Sequence, residues 1–313
     1  MNLYLMVQVY NGGAYWRECL DSVKENLDLF DAVYVSIGKS PEQESDVELL
    51  RDFPADKVHW ISQDKEMSAK EHGEKLDRWV GSFHLDGHIF ILCHDDILLR
   101  EGLLKLKELE LKDDDAAFGP FLFFSQDRSS RPIQVREFHR EDDRPLDKDE
   151  FIFLQDQQQF TYNVSGLVLP ANSFAEYPMP WHLLRYGCFS ECSHLIHPRI
   201  RHIYQSAVPT VKIRWHGASE GALMKSEDLL HDSLVYHLIS TAVAGSSYLR
   251  KFQARSVLFL LRLDPWMGFF HFIQLQIRLA RLKFYYPRGL RVYIYIFQIV
   301  CQKISNGFAK LIH

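Results

Sequence analysis

The stretch from Gly87 to Leu99, GHIFILCHDDILL, gathers residue types that can do chemistry. An apolar run from His88 to Cys93 reads as a buried strand and ends abruptly in His94, Asp95 and Asp96. Two adjacent carboxylates at such a tip disfavour each other's ionisation unless a cation or hydrogen-bond donors sit between them. In open α/β sheets the carboxyl ends of the strands are also where ligands bind. The pair therefore reads as a divalent-metal or phosphate site. A structural reading competes with it, in which an Asp caps a helix starting near Ile97. A second cluster, Cys188, Cys192, His194 and His197, offers four potential zinc ligands, but its spacing matches no paired-knuckle zinc pattern.

The elements that must position the acids alternate between strand and helix. Leu3 to Val9 reads as a strand, Asn11-Gly12-Gly13 as a turn, and Tyr15 to Leu29 as a helix with Trp16, Cys19, Leu20, Val23 and Leu27 on one face. Strands follow at Ala32 to Ile37 and Val58 to Ser62, then a helix over Ser68 to Phe83, the His88 strand and a helix over Gly102 to Leu111. Short connections between such elements predict a mostly parallel sheet covered on both faces. Neither G-x-G-x-x-G nor a P-loop is present, which argues against a dinucleotide dehydrogenase or a P-loop NTPase. Ser125 to Gln159 is polar and acidic and reads as an exposed loop or insertion. Tyr162 to Leu169 and Val208 to Trp215 read as further strands, and Leu229 to Ala244 as the start of a helical tail.

Several of these pieces, taken in order, resemble one family. Val7 to Val23, VQVYNGGAYWRECLDSV, resembles the first strand, turn and helix of the family-2 type GT-A glycosyltransferases. His94-Asp95-Asp96 resembles their D-x-D region, Ser165-Gly166 the small-residue strand below the acceptor pocket, and His216 with Ser219 a late diphosphate-facing motif. The agreement runs over residues 1–225. The resemblance implies a GT-A, Rossmann-like α/β fold with a mostly parallel sheet and helices on both faces. It implies an inverting enzyme that moves a sugar from a nucleoside-diphosphate donor to a hydroxyl of a glycan or lipid-linked glycan. It assigns donor binding to Val9, Tyr10, Asn11, Ser36, Gly38, Lys70, His94, Asp95 and His216. Asp95, Asp96 and His216 become the ligands of Mn²⁺ or Mg²⁺, and Glu191 becomes the general base. Residues 1–120 form the nucleotide-binding half and 121–225 the acceptor half.

The chain departs from the family pattern in three places. Ser36-Ile37-Gly38-Lys39-Ser40 stands where the family has D-D-G-S, so a hydroxyl replaces a charged acceptor. The D-x-D triad loses its first acid in either register, Cys93-His94-Asp95 or His94-Asp95-Asp96, and the imidazole biases the site toward Mn²⁺. No Asp follows Glu191. Two rival functions remain on these grounds. One is a nucleotide-sugar binding module without turnover; the other is a sugar-1-phosphate nucleotidyltransferase, whose glycine-rich basic N-terminal loop is missing here.

Charge is distributed very unevenly. Of 36 Lys and Arg and 41 Asp and Glu in 313 residues, the segment from Arg250 to His313 holds eleven bases and one acid. Its bases interleave with aromatics, as in Lys283-Phe284-Tyr285-Tyr286, and no run reaches the roughly 18 to 20 apolar residues that span a bilayer. Residues 226–313 therefore read as a helical, basic and aromatic extension, lying on an anionic membrane surface or packed on the body, with no nucleic-acid partner. Five cysteines in an odd set suit a reducing compartment, and MNLYLMVQVY reads as a first strand and not as a signal peptide. Together these place the protein in the cytoplasm, peripheral on the membrane's cytoplasmic face.

Overall fold

The computed structural model of the chain describes residues 1–125, 144–156, 164–176, 195–197, 199–216 and 226–245. The chain divides into two compact units, Met1–Trp181 with Arg199–Met224, and His182–Pro198 with Lys225–His313.

The first unit is built on β1 (Leu3–Val9), β2 (Ala32–Ile37), β3 (Val58–Ser62) and β4 (His88–Cys93), all parallel to one another. β6 (Ala116–Phe118), β8 (Leu167–Pro170) and β9 (Ile203–Gln205) extend the sheet to the order β3-β2-β1-β4-β8-β6-β9, with β8 antiparallel to both its neighbours. Side chains alternate across a strand, so the strands feed two cores. Leu3, Leu5, Val7 and Val9 share one face with Val33, Val35, Ile37, Phe90 and Leu92. There they meet Trp16, Cys19, Leu20 and Val23 of α1 (Gly13–Glu25) and Leu103 and Leu106 of α4 (Arg100–Glu108). The opposite face carries Gln8, Tyr34 and Ser36, against α3 (Ala69–Gly81), where Tyr34 meets Trp79 and Ser36 meets His72. The expected sheet covered on both faces is thus observed.

A second, three-stranded sheet brings distant segments to the tip of β4. β5 (Ile97–Leu98) pairs antiparallel with β10 (Val211–Trp215), which runs parallel to β7 (Phe121–Ser125). Lys212 lies opposite Ile97 and Val211 opposite Leu98, so the residues after Ile213 rise beside Asp95 and Asp96. This corrects the helix-cap reading of those acids. The chain enters a strand at Ile97, and α4 starts only at Arg100, after Leu99 and without a side-chain cap.

The exposed-loop reading of 125–159 also fails in its described part. α5 (Lys148–Asp156) buries Phe151 and Ile152 completely, and Phe151 packs edge-on against Phe118 at 6.2 Å. The acidic flanks hide an apolar pair that only tertiary packing reveals. Smaller elements escaped the periodicity as well, among them α2 (Gln43–Glu48) and α6 (Asn172–Glu176). Ser165 and Gly166 sit in the turn ahead of β8 and not inside it; Gly166 has φ +98°, a conformation suited to a residue without Cβ.

In the second unit, α7 (Ser226–Val243) covers the expected start of the helical tail and buries Leu234, Val235, Tyr236 and Ile239. The basic segment from Arg250 lies outside the described residues. Among the described residues, no helix is long and apolar enough to cross a membrane.

Candidate active site

The carboxyl ends of β1, β2 and β4 and the start of α3 lie along one edge of the main sheet. Val9 closes β1; its side chain is buried, and its carbonyl accepts from Gly38 N–H at 2.8 Å. Tyr10 is 48% exposed, and Asn11 takes φ 51°, which turns the chain into α1. Gly38 leaves open the space that a Cβ would contest with Tyr10, at 2.9 Å, and with His72. Lys70 lies in the first turn of α3, a helix tied to the tip of β1 by Gln8 Nε2 donating to Ala69 O at 3.1 Å.

At the tip of β4 the two acids part ways. Asp96 is 3% exposed, and both its oxygens are engaged: Oδ2 accepts from Ser165 Oγ at 2.5 Å and Oδ1 from Arg214 N–H at 2.8 Å. Ser165 Oγ in turn accepts from Cys93 N–H at 2.8 Å. Burial, followed by the charge of Asp95, pushes the Asp96 carboxyl up to about 7. Asp95 is turned outward, with Oδ2 3.0 Å from His216 Nε2 and side-chain exposures of 15% and 13% for Asp95 and His216. His94 is half-buried, its imidazole held below its usual value by burial against the pull of Asp95 and Asp46. Beneath them, the Cys19 thiol is raised by burial first and by the charges of Asp96 and Asp95 next, against the opposing charge of Arg214.

Arg214 ties this tip to α1. Its Nε donates to Asp95 O at 3.0 Å and its Nη2 to Glu18 Oε2 at 2.5 Å. The guanidinium lies over the Tyr15 and Phe124 rings at 4.7 and 4.5 Å. Tyr15 also packs on the His216 ring, with centroids 4.8 Å apart.

The donor set fits a divalent cation. The carboxylate of Asp95 and the imidazole of His216 offer oxygen and nitrogen side by side, a combination that suits Mn²⁺ better than Mg²⁺. Ligand atoms of Cys93, Asp95 and Asp96 also lie within 4.8 Å of one another. Asp96 is already engaged by Ser165 and Arg214, which leaves the partly covered Asp95, His216 and Cys93 as the remaining candidate donors. The N-terminus of α1 is no anion site, because the Asp46 carboxylate accepts from Gly12 N–H at 3.1 Å and Gly13 N–H at 3.0 Å.

The structure brings Val9, Tyr10, Asn11, Gly38, Lys70, His94, Asp95, Asp96 and His216 to one edge. Ser36 sits lower. Its hydroxyl is fully buried, 2.8 Å from His72 Nε2 and accepting from Gln63 Nε2 at 3.0 Å. Burial lowers the His72 pKa to about 4, so the imidazole is neutral. Glu191 and the Cys188, Cys192 and His194 members of the cysteine-histidine cluster lie outside the described residues. Sequence reasoning missed Asp46, His72, Glu18 and Arg214. The available signal was weak: a charged residue between Ile213 and Trp215 in an apolar strand, and a histidine four residues after the cap Ser68.

No family model and no curated protein matches the sequence. Solved structures do match in fold. TarS 1-349 from S. aureus, in complex with UDP-GlcNAc, superposes with a TM-score of 0.60 at 11% identity, over 83% of this chain and 72% of that one. The same protein in complex with UDP gives 0.55 at 11% identity, over 83% and 71%. Against a longer TarS structure the score is 0.57 at 11% identity, over 83% of this chain and 43% of that one, so the present chain spans less than half of that length. At such identity the likeness is one of architecture, and the architecture is the GT-A fold.

Proposed function

We propose that this chain is a metal-dependent, inverting glycosyltransferase of the family-2 type, moving a hexose from a nucleoside-diphosphate sugar to a hydroxyl of a glycan or lipid-linked glycan in surface polysaccharide synthesis. The observation that carries the reading is the Asp95–His216 pair at the tip of β4, on the edge of a sheet whose fold it shares with TarS in complex with UDP-GlcNAc. Asp95 and His216 would hold Mn²⁺ or Mg²⁺, and the bound cation would supply positive charge to offset what grows on the departing diphosphate. Tyr10, with its exposed ring, and Lys70 flank the donor along the same edge. The acceptor oxygen forms its bond to the anomeric carbon as the bond from that carbon to the diphosphate oxygen breaks. The electron pair leaves with the diphosphate, and the acceptor proton passes to the Glu191 carboxylate. The basic segment from Arg250 holds the enzyme on the cytoplasmic face of an anionic membrane.

A panel of nucleoside diphosphates, each with and without Mn²⁺, tests the core of this reading by thermal shift. One diphosphate should raise the melting temperature of the full chain only when Mn²⁺ is present, and Asp95→Ala should abolish the shift. A panel with no shift, or an unchanged shift in Asp95→Ala, defeats it. Glu191→Gln should lower turnover by about 10² while donor affinity stays near the parent value; parental turnover would move the base elsewhere. Vesicle sedimentation addresses the tail: binding should require anionic lipid and weaken with salt, and equal binding to neutral vesicles would refute the electrostatic attachment.

A further inference from the structure

A guanidinium cannot shed its charge in a protein, so burying one is costly unless every side of it is met. The Arg214 side chain is 3% exposed. It is met by the Asp95 carbonyl, the Glu18 carboxylate and two aromatic faces. Stability alone is a poor reason for such a group, because well-packed apolar residues in place of a buried ion pair are often neutral or stabilising. The contacts point elsewhere. The side chain of Arg214 grips the main chain of Asp95, while its own N–H grips the carboxylate of Asp96. Two residues further along the same segment, His216 meets the Asp95 carboxylate. Tyr15 touches both Arg214 and His216, and Tyr15 and Glu18 stand three residues apart, on one face of α1.

We propose that Arg214, seated by Glu18 and Tyr15 of α1, is the positioning residue that holds Asp95 and His216 at the separation a divalent cation needs. The inference rests on the proposed reading that these two side chains bind the cation. Arg214 touches neither the cation nor the donor. It fixes the Asp95 peptide, so the carboxylate swings only about its own side-chain torsions, and through Tyr15 it limits the tilt of the His216 ring. Its positive charge beneath the tip also offsets the repulsion between Asp95 and Asp96. Supporting groups of this kind commonly carry about 10- to 100-fold in metal affinity.

The test is a Mn²⁺ titration of the full chain with the diphosphate found in the thermal-shift panel, read by the electron paramagnetic resonance signal of unbound Mn²⁺. A melting curve is recorded for each variant. Arg214→Met keeps the length and apolar contacts, and should weaken Mn²⁺ binding by about tenfold or more while melting near the parent temperature. Arg214→Lys keeps the charge but cannot span Asp95 O and Glu18 together, and should fall between the two. Glu18→Gln changes a half-exposed group, which protects the fold, and should weaken binding by a few fold with unchanged melting. Parental Mn²⁺ affinity in folded Glu18→Gln and folded Arg214→Met or Arg214→Lys overturns the positioning role alone. So does a loss of affinity that only tracks a loss of melting temperature. A parent chain that binds no Mn²⁺ overturns the cation reading, and the inference with it.

Discussion

The tip of β4 and the end of β2, two places apart in one sheet, hold their polar groups in opposite ways. At β4, the Asp96 carboxylate accepts from the Arg214 main-chain N–H, the Arg214 guanidinium donates to the Asp95 carbonyl, and the Asp95 carboxylate meets the His216 imidazole; Asp95 and His216 keep part of their surface in water. At β2, Ser36, His72 and Gln63 are all buried and uncharged; Ser36 meets both of the others, and Gln63 Oε1 accepts from the part-buried Lys75 ammonium at 3.3 Å. Buried charge persists where hydrogen bonds or a counter-charge meet it, and the innermost groups at β2 are neutral. The contrast agrees with the proposed cation site at β4, beside a wall at β2 whose innermost groups are uncharged.

Three measurements can break or sharpen that contrast. Asp96→Ala should cost the most, about 2–4 kcal/mol in urea denaturation, because it removes the buried carboxylate that accepts from both the Ser165 hydroxyl and the Arg214 N–H. Asp95→Ala, measured in parallel, should cost less, about 1 kcal/mol, since its carboxylate is less buried than that of Asp96 and its side-chain partner is the partly covered His216. Equal losses would erase the division of labour at the tip. The second measurement concerns pH. His72 has a folded pKa of about 4 against an ordinary 6.5, so the folded state binds fewer protons between those values. Its contribution is complete above about pH 6.5 and is lost as pH falls toward 4, reaching roughly 2 kcal/mol by about pH 5. His72→Gln should flatten this part of the stability profile, and an unchanged profile would mean that the wall is not closed. The smallest effect is expected of Ser36→Ala, roughly 1 kcal/mol, from one lost hydroxyl between two side chains that keep other contacts. A loss of diphosphate binding far beyond that cost would instead place Ser36 in direct contact with the donor.

The apolar run ending in two acids, the strand, turn and helix at the N-terminus and the alternation up to α4 were legible in the amino-acid sequence. Each is a local pattern: buried parallel strands read as continuous apolar runs, and a helix facing a core repeats every three to four residues. α3 even announces its start through Ser68 and Glu71, a reciprocal capping pair visible in the order of residues. α5 was not legible, because Phe151 and Ile152 stand side by side among acids and show no period until Phe118 covers them.

Only the tertiary structure decided which of two adjacent aspartates faces outward. The partners that settle it are remote in sequence: Ser165 lies 69 residues from Asp96, Arg214 lies 118 from it, and His216 lies 121 from Asp95. The pairing of β5 with β10 brings two of these to the tip, and the turn ahead of β8 brings the third. Composition and period report which face of an element avoids water. The charge state and direction of a polar side chain depend on what long-range pairing sets beside it, and no local stretch of sequence carries that information.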